Sequence, residues 1–224
     1  MRFQDWDILL FPDGSHVPIQ EFRTACFLVQ DGSLQTPTLI TYVPSLPRGT
    51  PFNISLHSWT QPRFSPGLGL FYGRKNLENA AWGVRIIVDG ECVSSSTFAS
   101  TTTFPQIMST SDRVQVNGKP KPLVFPRFHR TVLSRRDWDI ADDLGRIKVL
   151  IMEGYHIPND LETRFQPVRT VACFSFHAAP MGKCKLDSPC CLSESLTDPL
   201  QTISNGAILH GPILPCMLTR GDRA

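Results

Sequence analysis

No stretch of this chain approaches the roughly 20 consecutive apolar residues that a membrane-spanning helix needs, so a transmembrane reading is set aside. The opening Met1-Arg-Phe-Gln-Asp-Trp-Asp puts two acids where a signal peptide needs an apolar core, which leads us to expect an intracellular protein, cytoplasmic or nuclear. Charge of one sign is also scarce. The formal net charge is only +2, which excludes an overall field strong enough to gather nucleic acid or an anionic membrane, so any basic surface must be local. Cysteine is present but not paired by spacing: seven residues, an odd number without a tight repeat, fit reduced thiols better than a disulfide framework. Missing too are a Gly-x-Ser-x-Gly elbow, a phosphate-cradling Walker loop and a dinucleotide fingerprint; Gly67-Leu-Gly-Leu-Phe-Tyr-Gly has the wrong glycine spacing. No cofactor is expected.

What the chain does have is β periodicity. In Trp82-Gly-Val-Arg-Ile-Ile-Val the apolar residues recur at every second position, and Asp89-Gly90 supplies the positive φ angles of a tight hairpin, so the chain is expected to run back through Cys92 to Phe98. Residues 2 to 11 read as a first strand with Trp6, Ile8 and Leu10 in step. A second run covers about 19 to 29. Thr38 to Val43, bounded by Pro37 and Pro44, is given an edge position. Phe52, Ile54 and Leu56 alternate with Asn53, Ser55 and His57, one face core and the other wet. Later strands follow over 145 to 154, with Ile147, Val149 and Ile151 on one face, and over 168 to 176. Asn117-Gly118 marks another hairpin, between Val114/Val116 and Leu123/Phe125, and a short helix is placed around 135 to 144.

The loop from Gln61 to Ala81 mixes Pro62, Pro66, Gly67, Gly69 and Gly73 with Phe64, Leu68, Leu70, Phe71 and Tyr72, and is expected to fold back onto the strands. Beyond about Ala178 the periodicity stops. The pattern as a whole predicts an all-β protein: an antiparallel β-sandwich of eight or nine strands over residues 1–178, with a low-order tail over 179–224.

Several short pieces, in this order, resemble a group of uncharacterised proteins from filamentous fungi: Trp6-Asp-Ile-Leu-Leu-Phe, Thr50-Pro-Phe-Asn-Ile-Ser-Leu, Val84-Arg-Ile-Ile-Val-Asp-Gly, Pro126-Arg-Phe-His, Leu144-Gly-Arg-Ile-Lys-Val and Phe174-Ser-Phe-His-Ala-Ala-Pro. The resemblance covers roughly residues 1 to 180 and extends to a wider fungal domain of unknown function with a β-sandwich expected. It implies a fold and a lineage and supplies no active site. The tail after Pro180 departs from it.

Candidate chemistry is sparse. Lys119, Lys121, Arg127, Arg130, Arg135 and Arg136 form an acid-free basic run interleaved with Phe125, Phe128 and His129, a composition that binds phosphates and stacks bases. The plain alternative is a solvated connection plugged by its aromatics. Asp137-Trp-Asp-Ile-Ala-Asp-Asp gathers four carboxylates but fails as an EF-hand, with Ala141 and Asp142 at positions that need a ligand and a glycine. Cys184, Cys190, Cys191 and Cys216, with His177 and His210, lack the close pairs of a structural zinc site, so no metal is assigned. Cys92, Cys173 and His57 offer a nucleophile and a base only if folding brings them together. The reading is a non-enzymatic protein-binding or scaffolding module whose partner is another protein. Its rivals are nucleic-acid association through residues 119 to 136 and a carbohydrate-binding or hydrolytic β-sandwich.

Overall fold

The computed structural model describes residues 1–31, 34–68, 78–115, 118–129, 140, 142–157 and 164–179. These residues are nearly all β. Their strands are β1 (Arg2–Phe3), β2 (Trp6–Pro12), β3 (Phe22–Asp31), β4 (Leu34–Pro44), β5 (Phe52–Ser58), β6 (Ala80–Val88), β7 (Glu91–Ala99), β8 (Gln106–Met108), β9 (Thr110–Val114), β10 (Pro120–Pro122), β11 (Arg146–Ile157) and β12 (Arg164–Ala179). Twelve stand where eight or nine were expected, because the first run breaks at Gln4, whose φ is 52°, and three short strands lie between Gln106 and Pro122. The expected helix around 135 to 144 and the tail after 179 fall outside the described residues. No helix among the described residues is long and apolar enough to cross a membrane.

The largest sheet has the order β3-β4-β12-β11-β6-β7, beside a four-stranded sheet β1-β2-β5-β8 and the pair β9-β10. The β6–β7 hairpin forms as read: Val88 pairs with Glu91, and Asp89 and Gly90 both take left-handed φ angles of 52° and 80°, as a type I′ turn requires. Two expectations are corrected. Pairing is not antiparallel throughout, since β12 runs parallel to β4 from Cys173–Thr38 to Ala179–Pro44. Strand β4 is also not at an edge. It lies between β3 and β12, and its prolines are tolerated because Pro37 precedes the first residue paired to β12 while Pro44 is the last. A parallel partner distant in sequence leaves no local turn signal to read.

Side chains from the two larger sheets meet in one apolar cluster. Trp6, Ile8, Leu10, Phe52, Ile54 and Leu56 come from the four-stranded sheet, and Leu39, Val84, Ile86, Val149, Ile151 and Phe174 from the six-stranded one. Across this contact the Trp6 and Trp82 rings stand edge to face at 5.2 Å. The described part of the 61-to-81 loop folds back as expected. Phe64 stacks on Trp82 with ring centroids 4.6 Å apart, Leu68 is buried, and the Leu68 carbonyl accepts a hydrogen bond from the Tyr155 hydroxyl. Glu153, 1% exposed, anchors the same loop: Ser65 donates to it from both backbone N–H (2.8 Å) and hydroxyl, and Arg169 Nε lies 3.1 Å away. A buried carboxylate with its oxygens so occupied avoids the cost of an unpaired charge.

The second face of β12 is buried as well. Cys173, Ser175 and His177 alternate with the core residues Ala172, Phe174 and Phe176, so the strand is covered on both sides where a sheet in a simple antiparallel sandwich exposes one.

Candidate functional site

The site is built where the β6–β7 turn meets the strands that follow it. Asp89 fixes the turn: its carboxylate accepts the Gly145 N–H at 2.5 Å and stands 3.2 Å from His129 Nε2, while its own N–H donates to the Arg146 carbonyl at 3.0 Å. Strand β9 is tied to β7 by an Arg113–Glu91 ion pair and by Ser94 Oγ donating to Asp112 at 3.5 Å. The chain then turns at Gly118 (φ 76°) into β10, which pairs back on β9 from Pro120–Val114 to Pro122–Thr110. Leaving β10, it forms an antiparallel bridge between Val124 and Pro51, with Phe125 N–H donating to Thr50 and Phe52 N–H to Leu123. This bridge sets Arg48, just before Thr50, beside Arg127, just after Phe125, and the Gly49 N–H donates to the Phe125 carbonyl at 3.2 Å.

These segments enclose an open cleft of about 280 Å³. Its floor is apolar, from Val88, Val93, Leu123 and Phe125 among others, and its walls carry Arg48, Arg113, Lys121 and Arg127 against Asp89 and Glu91. Both acids are already committed, Glu91 to Arg113 and Asp89 to Gly145 and His129. Among the described residues, Arg48, Lys121 and Arg127 have no ion-pair or hydrogen-bond partner. Counted over the described lining, four cations face two carboxylates, so the cleft holds a formal excess of two positive charges beside its apolar residues, in a chain whose net charge is only +2. Concave, partly apolar walls focus such a field at the cleft.

Of the six basic residues singled out from sequence, Lys121 and Arg127 line the cleft. Lys119 is exposed at the β9–β10 turn outside its lining, and Arg130, Arg135 and Arg136 lie outside the described residues. Sequence reasoning missed Arg48 and Arg113. Arg48 comes from the connection between β4 and β5, and no local signal announces the Pro51–Val124 bridge that brings it in. Phe125, the first aromatic of the run, offers no stacking surface beside these cations, since it is buried edge-on against Phe52 at 5.3 Å.

A family model described as a domain of unknown function (DUF8498) matches residues 1–186. The chain belongs to the DUF8498 family. The matched span contains every described residue, so both larger sheets and the cleft belong to the DUF8498 domain. No curated protein and no solved structure matches the chain.

Folding does not assemble the nucleophile candidates in this DUF8498 domain. Cys92 is exposed on β7, Cys173 is buried on β12 and His57 lies in the other large sheet. Burial pushes the Cys173 thiol up to about 11, the wrong direction for a nucleophile at neutral pH. His57 does hydrogen-bond Ser55 at 2.9 Å. Asp7, opposite His57 in the sheet, instead has its carboxylate 3.4 Å from the Met1 ammonium, so it does not complete a Ser-His-Asp chain. Of the soft ligands named from sequence, His177 sits buried beside Ser175 and the others lie outside the described residues. Among the described residues no three His, Cys, Asp or Glu side chains are grouped to hold a metal ion.

Proposed function

We propose that this DUF8498 protein is an intracellular β-sandwich module that works without catalysis, holding a segment of another protein in the basic cleft beside the β6–β7 turn. The observation that carries this reading is the convergence of Arg48, Lys121 and Arg127, each without a charge partner among the described residues, over the floor formed by Leu123 and Phe125. Cations on a rim with an apolar bottom match a segment in which acidic and aliphatic residues alternate.

Nucleic acid is the second reading, favoured by the fact that Lys121 and Arg127 of the basic run share the cleft. Against it stand the near-neutral chain and the burial of Phe125, which takes that aromatic of the basic run away from a base.

Fluorescence anisotropy with labelled acidic-aliphatic peptides and labelled single-stranded DNA separates the two. We expect peptide binding that weakens about tenfold or more when Arg48, Lys121 and Arg127 are replaced together by alanine, with the melting temperature held, since exposed substitutions cost little stability. Tighter binding of the DNA, with a steep loss of affinity as salt rises, would overturn the protein-partner reading in favour of nucleic acid.

A further inference from the structure

We infer that the group seated in this cleft is a phosphate monoester on the partner's side chain, so that the module reads a phosphorylated segment. The inference rests on the protein-binding reading and deepens it. Three cations reach the cleft from two stretches of chain: Arg48 before β5, and Lys121 on β10 with Arg127 six residues on, beyond the Pro51–Val124 bridge. A carboxylate is planar, carries one charge and is satisfied by a single guanidinium fork. A phosphate monoester carries about −1.5 to −2 at neutral pH and presents three acceptor oxygens, which matches donors converging from several directions. Ser111, also in the lining, adds a hydroxyl whose hydrogen bond to the Arg113 carbonyl is long, at 3.5 Å. Of the two acids in the lining, Glu91 is paired with Arg113, while Asp89 keeps its negative charge as it accepts the Gly145 N–H and stands 3.2 Å from His129; the cations outnumber the acids by two, so the balance of the lining still favours an anion. The cleft, at about 280 Å³, has room for a phosphate and part of the side chain that bears it, while the apolar floor receives a neighbouring aliphatic residue.

The test uses the full chain and three labelled peptides identical except for one central residue: phosphoserine, glutamate or serine, flanked by valine and leucine. We expect the phosphoserine peptide to bind about tenfold or more tightly than the glutamate peptide. Its affinity should rise between pH 5 and 7 as the phosphate loses its second proton near a pKa of about 6. Arg48→Ala, Lys121→Ala and Arg127→Ala should each weaken it several-fold, Lys119→Ala should leave it unchanged, and inorganic phosphate should compete where acetate does not. Equal binding of the phosphoserine and glutamate peptides would overturn the phosphate assignment and leave the acidic-segment reading standing. Failure of both peptides to bind the folded chain would overturn both. Phosphoserine binding that ignores all three cleft substitutions would place the site elsewhere and overturn the assignment.

Discussion

Gly83 and Gly154 are glycines because Phe165 and the β12 backbone occupy the space a Cβ would need. A Cβ on Gly83 would lie 2.3 Å from the Phe165 ring, and one on Gly154 would lie 2.2 Å from the Gln166 carbonyl oxygen. Gly154→Ala must displace backbone, and overpacking of this kind costs about 1–3 kcal/mol or more. We expect urea denaturation to rank Gly154→Ala below Gly83→Ala in stability, and Phe165→Leu to recover part of the loss in the Gly83→Ala background but not in the Gly154→Ala one. Equal losses, with no recovery at Gly83, would contradict this packing. His177 supplies a pH signature at the same scale. Burial, with Arg146 and Lys148 on the neighbouring strand, pushes its pKa down from 6.5 to about 2. Tyr42 lies against its ring on the other side. The folded state then binds no proton at His177 where the unfolded chain does, so stability falls as pH drops below about 6.5, by up to about 1.4 kcal/mol per pH unit from this one group. His177→Asn should remove that slope between pH 6 and 4 in denaturant titrations, whatever it costs in absolute stability; an unchanged slope would show that the imidazole titrates normally.

At the scale of elements, the loop from Gln61 to Leu68 is tied down at its start by the Gln61 side chain donating to the Ser100 carbonyl and beyond it by contacts with β6 and β11. Glu153 takes both donors of Ser65, Tyr155 bonds the Leu68 carbonyl, and Phe64 stacks on Trp82. Glu153→Ala strands the Ser65 N–H and removes the Arg169 contact, a loss of about 2–4 kcal/mol. Limited trypsinolysis should then cut after the exposed Arg63 well before the strands are lost, and resistance equal to that of the unsubstituted chain would show that Glu153 does not anchor the loop. The elements were legible in sequence to the extent that their signals are local. Asp89-Gly90 announced its own turn, and the alternations of β5, β6 and β11 marked their core faces, because turn chemistry and period-two burial act within a few residues. Pro37 and Pro44 misled, since they bracket the stretch paired to β12, while in the ladder with β3 Pro37 stands inside, opposite Leu28. The parallel β4–β12 contact has no local signature at all.

For the whole molecule, the fold sets charge and shape together at one place, the cleft beside the β6–β7 turn. Half of that place could be read from the chain. Lys121 and Arg127 stood in a run rich in cations, but the run gave no hint that Phe125 turns inward against Phe52, which separates charge from stacking surface. Arg48 and Arg113 join them only through long-range pairing, the Pro51–Val124 bridge and the docking of β9 along β7. The most direct test is amide chemical-shift mapping of the isotope-labelled full chain during titration with the phosphoserine peptide. We expect the shifts to concentrate in Val88–Val93, Ser111–Arg113, Lys121–Arg127 and the residues around Arg48. Shifts centred instead on the outer strand β3 or on the face bearing Ser55 and His57, with the cleft silent, would contradict the assignment of the cleft as the binding surface.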